Sequence, residues 1–525
     1  MKFFLPSLIL SSSICSAQLT KTLFNQEKLK QHVIILASDS FQGRKPFTVG
    51  ETRTVDYVVT QLKEIGLEPG NNKSYLQPVT FVQSNYVSST IDVQSPSGSL
   101  VLENPKDYAI WTKSEDTMAS LKNTPVVFVG YGLVAPEYKR NDYAGVNVKG
   151  KIVLMLMNER SREESFLQKG LAVTKYEQGE YKVEEAARQG ALGCFFIPGK
   201  SDDFPLEMIQ ASVSATKMQS PDMGKPAVMG AIKRESLYKL FQASGLDSNI
   251  FINAANSGFK PVQMNLNFFT TINVKSKYTT SSNVIGKITG SKYPDETIIY
   301  SAHWDHLGIG KPDEEGDSIY NGANDNALGV AVVLELASAF KNMKTKPGRT
   351  IVFILFTSEE AGHGGSRWYV QHPVGSLKKT IADFNIDGFN RFGRTKDIVI
   401  HGTGNSTLED DIAVEIKKQG RYITPEEPQD NFYFRSDQIS FANVGVPALF
   451  FGRGTDYLNG GIAYEKIVKE KYWGYHTPND QFNEGWRFEG TVEDMELLFN
   501  VGFRLANNRI WPQWKSQSQF RSIKR

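Results

Sequence analysis

Residues 298–360 constrain this chain more than any other stretch. They contain, in order, IIYSAHWDHLGIG, NGANDNALGVAVVLELASAF and TIVFILFTSEE. The two short β-branched apolar runs, 298–302 and 350–357, have the composition of strands buried on both faces of a parallel sheet. Between them Val330, Val333, Leu334, Ala337 and Phe340 recur at helical spacing, so this piece predicts a crossover helix. The polar residues stand where each strand ends or just before the helix begins: His303 and Asp305, then Asp325, then Glu359 and Glu360. In open α/β sheets ligands gather at the carboxyl ends of strands. Four carboxylates and an imidazole converging in one crevice require a cation between them.

Two further residues join this set. Asp387 closes IADFNIDG, another apolar run that ends in an acid followed by glycine. Of the seven histidines, His303 at a strand end and His476 in the loop GYHTPND have the setting of a ligand. His306 follows in the same loop as His303, and His363, His372 and His401 read as exposed, supporting or ambiguous positions. Imidazole nitrogen and carboxylate oxygen bind zinc at roughly 2.0–2.2 Å. Two histidines and three carboxylates close two such sites if one carboxylate bridges metals about 3.5–4 Å apart. Glu359 and Glu360 point to opposite sides of a strand end, so one binds metal and the other stays free as a base.

Residues 1–17, MKFFLPSLILSSSICSA, read as a secretory leader cut after Ala17, which predicts a periplasmic or secreted protein. No other stretch reaches the roughly 18 apolar residues of a membrane span. The formal net charge of +2, without a basic arm, argues against nucleic acid as a partner. Cys194, in GCFFI, reads as a small buried hydrophobe. Helical faces are predicted over 26–38 and 51–65, with a loop containing two glycines between them. From 117 to 262 the pattern changes to short apolar strands with glycine, proline and charged turns, which reads as a β-rich insert. After 263 the βα alternation begins, with strands expected at 283–289, 298–302, 350–357, 381–387, 396–401 and 446–451. Capping boxes are read at Ser406 with Glu409 and at Thr491 with Asp494.

HWDHLG, GANDNALG, TSEEAGHGGS, NIDG, RSDQISFANVGVPALFF and YHTPND together resemble the M28 family of zinc peptidases. LASDSFQGRKPFTVGETR is similar to the N-terminal part of bacterial members, and the insert resembles a protease-associated (PA) domain. The resemblance implies a three-layer α/β/α fold with a central mixed sheet. Residues 18–116 and 263–525 would form the peptidase domain, and 117–262 the PA-like insert. It also implies two zinc ions per chain, with His303 and Asp387 on one, Glu360 and His476 on the other, and Asp325 bridging. Glu359 would be the general base, Asp305 the carboxylate that orients His303, and Tyr475 an aid to the oxyanion.

The implied activity is hydrolysis of peptide substrates by an exopeptidase. An acid-rich site suits a cationic α-amino group, which favours an aminopeptidase. Arg435, in RSD, is the candidate partner for an α-carboxylate and keeps a carboxypeptidase or dipeptidase open. The other readings are a glutaminyl cyclase-like acyltransferase with one zinc, and a non-catalytic binding protein. No oligomeric state is read from the sequence.

Overall fold

The computed structural model describes residues 24–112, 118–136, 139–157, 176, 179–198, 206–214, 217–218, 226–256, 258–426, 432–472 and 474–525. The leader read at 1–17 lies outside them. The chain forms two compact units, one made of Met1–Val79 with Thr280–Arg525 and the other of Thr80–Thr279.

The first unit is a three-layer α/β/α structure on a mixed sheet. In chain order its main elements are α1 (Gln26–Leu36), α2 (Val49–Ile65), the part of β1 (Val262–Ile288) from residue 280 onward, β2 (Tyr293–His303), α3 (Leu328–Lys341), β3 (Arg349–Phe356), α4 (Gly364–Gln371), β4 (Thr380–Asn385), β5 (Asp397–His401), α5 (Leu408–Lys418), β6 (Tyr422–Thr424), β7 (Ala448–Gly452) and α6 (Glu489–Asn507). The strand order is β6-β5-β7-β4-β2-β3-β1, with residues 284–288 of β1 beside β3 and Glu68–Pro69 paired with Gly286 and Lys287 of β1. β2 lies parallel to both β3 and β4, and β4 is parallel to β7, whereas β5 runs antiparallel to β7 and β1 to β3.

The unbroken apolar runs follow from burial on both faces. Ile298, Tyr300 and Ala302 of β2 and Ile351, Phe353 and Leu355 of β3 face one core, shared with α1, α2, α3 and α6. Ile299, Val352, Ile354 and Phe356 face another, with Tyr369 of α4 and Phe441. Helix α3 is buried along all of its length except near Ser338 and Lys341. It is enclosed by the sheet on one side and by Leu29, Val33, Val58, Leu62 and Leu498 of its neighbouring helices on the other.

Two readings of helix starts need correction. At α5 the Glu409 carboxylate accepts the Ser406 N–H at 2.7 Å, but the Ser406 hydroxyl makes no reciprocal bond. Thr491 does not start α6, because that helix begins at Glu489; its hydroxyl donates to the Asn390 carbonyl instead, and Asp494 pairs with Arg421.

The second unit is wider than the 117–262 expected, taking in strands Gly98–Leu102 and Tyr108–Thr112 and most of Leu76–Ser95. Their serine, threonine and glutamine content hid the alternation that buries Val79, Phe81, Ile91 and Val93. It is also less purely β than expected. Met118–Phe128, Ile152–Leu156, Gly193–Ile197 and Val228–Ile232 run parallel, and helices Gly179–Arg188 and Arg234–Ser244 accompany them. Cys194 is buried here, and burial pushes its thiol up to about 12. No helix of the described residues is long and apolar enough to cross a membrane.

Candidate metal centre

The chain ends of β2, β3 and β4 bring the acids together. His303 is the last residue of β2, Glu359 and Glu360 lie three and four residues beyond the end of β3, and Asp387 lies two beyond β4. These strands are parallel neighbours, so their carboxyl ends open on the same edge. Asp325 arrives from the turn Ala323–Ala327 that leads into α3. That turn closes on Gly322, at φ +58, where a Cβ would lie 2.1 Å from the Asp325 carbonyl oxygen. Only glycine fits there.

His303 Nε2 stands 3.3 Å from Asp325 Oδ1 and 3.2 Å from Asp387 Oδ1. His476 Nε2 stands 3.3 Å from Asp325 Oδ2 and 3.1 Å from Glu360 Oε2. The two oxygens of Asp325 therefore face two different histidines, His303 and His476. Glu359 turns away from Glu360. Its Oε1 lies 3.3 Å from His363 Nε2, whereas Glu360 Oε1 lies 2.6 Å from His306 Nδ1. Asp305 differs in detail from the expectation. His303 Nδ1 lies 3.1 Å from the Asp305 backbone carbonyl and 3.8 Å from its carboxylate, which instead accepts the Glu359 N–H at 3.0 Å. A residue two positions on in a tight loop presents its carbonyl first. The Tyr475 ring stacks on His476, centroids 3.9 Å apart, and burial pushes its phenol up.

Several residues of the site lie in stretches that carry the family resemblance, yet the sequence assigned them no role. Arg44, in the loop between α1 and α2, is fully buried. Its guanidinium donates to the carbonyls of Trp304 (2.9 Å), Leu36 (2.9 Å), Asn321 (2.5 Å), Gly322 (2.8 Å) and Asp325 (3.3 Å). Asp480 accepts the backbone N–H groups of Asn324 and Asp325. Asp437 is buried, and neither of its carboxylate oxygens has a hydrogen-bond partner among the described residues. The three-residue step from His303 to His306 was the one available signal for the latter's role at Glu360.

The electrostatics call for positive charge. Burial opposes ionisation of His476, yet its contacts with Asp325 and Glu360 lift it to about 10. Burial also opposes a charged His303, but the charges of Asp387 and Glu359 hold it well above the ordinary range. Asp325, despite burial, is held well below the usual carboxylate range by His303 and His476. Burial drives Glu359 well above it, with Asp387, Asp437 and Glu360 adding repulsion. Burial likewise raises Asp305 to about 7 and lowers Arg44 to about 10. A metal cation fits this donor set. His303, Asp325 and Asp387 place ligand atoms within 4.8 Å of one another, as do His306, Asp325 and Glu360, and His306 Nε2 is buried without a partner. Imidazole and carboxylate without thiolate suit zinc and its neighbours in the first transition row.

Residues 283–497 match the family model described as "Peptidase family M28". Carboxypeptidase Q of Bos taurus is 29% identical over 147 residues, covering 27% of this chain and 29% of that protein. Aminopeptidase YwaD of Bacillus subtilis (strain 168) is 28% identical over 220 residues, covering 38% of this chain and 40% of that protein. The chain thus matches less than half the length of these curated relatives. Among solved structures, an aminopeptidase from Aneurinibacillus sp. strain AM-1 aligns over 93% of this chain and 96% of its own, at 21% identity and a TM-score of 0.48. Every side chain of the centre except Arg44 falls inside the segment that is similar to peptidase family M28.

Proposed function

We propose that this protein is an exported zinc exopeptidase that releases residues from the amino end of peptides. The observation that carries the reading is the division of Asp325 between two clusters, each completed by one histidine and one further carboxylate. His303, Asp325 and Asp387 would hold one zinc ion, and Asp325, Glu360 and His476 a second. Zinc bound there would supply Lewis acidity, bringing water within reach of ionisation near neutral pH and polarising the scissile carbonyl.

The chain's own groups do the rest. Glu359 is raised by burial and so binds a proton readily. It takes one from the attacking water and returns it to the leaving nitrogen. Its N–H bond to Asp305 fixes the start of the side chain. Tyr475 keeps its phenol proton and can donate it to the carbonyl oxygen as negative charge develops. The acid-rich surroundings favour a protonated α-amino group next to the scissile bond.

One observation favours a second reading, carboxypeptidase or dipeptidase action. The Arg435 side chain is exposed, and its charge reaches Tyr475. A guanidinium there offers a partner for an α-carboxylate. The test compares one peptide with its N-acetylated and C-amidated forms. Aminopeptidase action requires that acetylation block cleavage and amidation leave it intact, and the reverse result establishes the second reading. Cyclisation of an N-terminal glutamine peptide without hydrolysis, or no reaction on any peptide with zinc bound, would overturn both.

A further inference from the structure

After Glu360 the chain doubles back before α4. The Gly362 and His363 N–H groups both donate to the Glu359 carbonyl, at 2.9 and 2.8 Å, and Gly364 and Gly365 donate to Ser358 and Thr357. His363 holds φ +59, a left-handed conformation that costs a non-glycine residue on the order of 1 kcal/mol. Glycines flank it on both sides. A third glycine would make the same turn without strain, so the turn alone does not account for an imidazole here. The ring's Nε2 lies 3.3 Å from Glu359 Oε1, with the two side chains 21% and 9% exposed. Among the described residues, His363 is the one basic side chain within ion-pair distance of that carboxylate. On Glu359's other flank, Asp305 holds its backbone rather than its side chain.

We propose that His363 is a positioning residue for Glu359, its Nε2–H holding Oε1 so that the second oxygen faces the reacting water. This rests on the reading of Glu359 as the proton acceptor. A carboxylate with two free torsions beyond Cβ spreads over several rotamers, and one hydrogen bond from a side chain fixed by a tight turn selects among them. The strained backbone at His363 is thereby explained, since it aims the ring back over Glu359 from four residues on. The ring makes no part of the metal clusters, so its removal should leave metal binding alone.

The test uses the full-length zinc-loaded enzyme and four variants: His363→Gly, which relaxes the turn and removes the ring; His363→Gln, which restores an N–H donor; Glu359→Gln; and the double variant His363→Gly with Glu359→Gln. The expected result is a fall in kcat on the order of 10–100-fold in His363→Gly, the cost of one hydrogen bond to a charged group. KM and zinc content should stay at wild-type values. His363→Gln should recover most of the loss, and His363→Gly should cost nothing further in the Glu359→Gln background. An unchanged kcat in His363→Gly overturns the proposal, as do zinc loss in that variant and an equal cost with and without the Glu359 carboxylate. If instead Glu359→Gln itself keeps full turnover, the reading of Glu359 falls, and the two failures are told apart by that variant alone.

Discussion

The Asp480 carboxylate accepts the backbone N–H of Asp325 at 2.9 Å with one oxygen, while its other oxygen takes the N–H of Asn324 at 3.0 Å. Asp480 stands four residues after His476, so this contact ties the two loops that meet at Asp325 into one unit. Asp480→Ala leaves two N–H groups without their acceptor and should destabilise the fold by about 2–4 kcal/mol. Zinc affinity should fall with it, although Asp480 touches neither cluster. Urea denaturation of the metal-free and zinc-loaded forms checks this, with the larger loss expected in the loaded form.

Arg44 gathers five backbone carbonyls from three chain segments. A planar guanidinium serves them from one position, and an ammonium cannot. Arg44→Lys should therefore be nearly as harmful as Arg44→Met, each costing about 3 kcal/mol or more through buried carbonyls left unsatisfied. Thermal melts of the two variants decide it, and a wild-type melting temperature for Arg44→Lys would count against this account.

The proposed mechanism gives the adjacent glutamates different roles. Glu359→Gln should keep metal and lose turnover on the order of 10²–10⁴-fold, as for a general acid–base group. Glu360→Gln should weaken the cluster shared with His476 and His306 and lower the bound zinc. Elemental analysis beside kcat measurements tests both, and zinc lost from Glu359→Gln but kept by Glu360→Gln would reverse the assignment.

His306 and His476 also separate. His476 Nε2 reaches Glu360 and Asp325 at 3.1 and 3.3 Å, whereas His306 Nδ1 lies 2.6 Å from Glu360 but 4.0 Å from Asp325. On the proposed assignment His306 supports Glu360, while His476 binds the metal. His306→Ala should weaken zinc binding on the order of 10–100-fold, the usual effect of a residue that supports a ligand. His476→Ala should remove that metal outright. Zinc titration with a competing chelator ranks the two.

Cys194 should resist alkylation. Its thiol is buried and pushed up to about 12, so at pH 8 its thiolate population in the folded protein is far below that of an ordinary cysteine. Labelling with iodoacetamide should be negligible in native protein and rapid in denaturant, as read by intact mass.

The sequence by itself determined the βαβ unit around α3 and the residues that end its strands. A strand buried on both faces must be apolar throughout, so His303 and Glu359 stand out where β2 and β3 stop. Local composition also placed Asp325 before the helix and Asp387 after β4. It could not reveal Arg44, Asp480 or the side of the strand end that each glutamate takes. Arg44 is one polar residue in a glycine-containing loop, and its partners lie up to 281 residues away. Asp480 reads as an ordinary loop acid until Asn324 and Asp325 are folded against it. The unit Thr80–Thr279 reaches beyond the β-rich stretch legible in the sequence for a related reason, because the burial of alternate residues in its polar strands depends on what packs against them. Strand-end chemistry is encoded in neighbouring residues and survives in one dimension. The hydrogen bonds that hold those side chains join distant segments, and only the closed tertiary structure decides which segments meet.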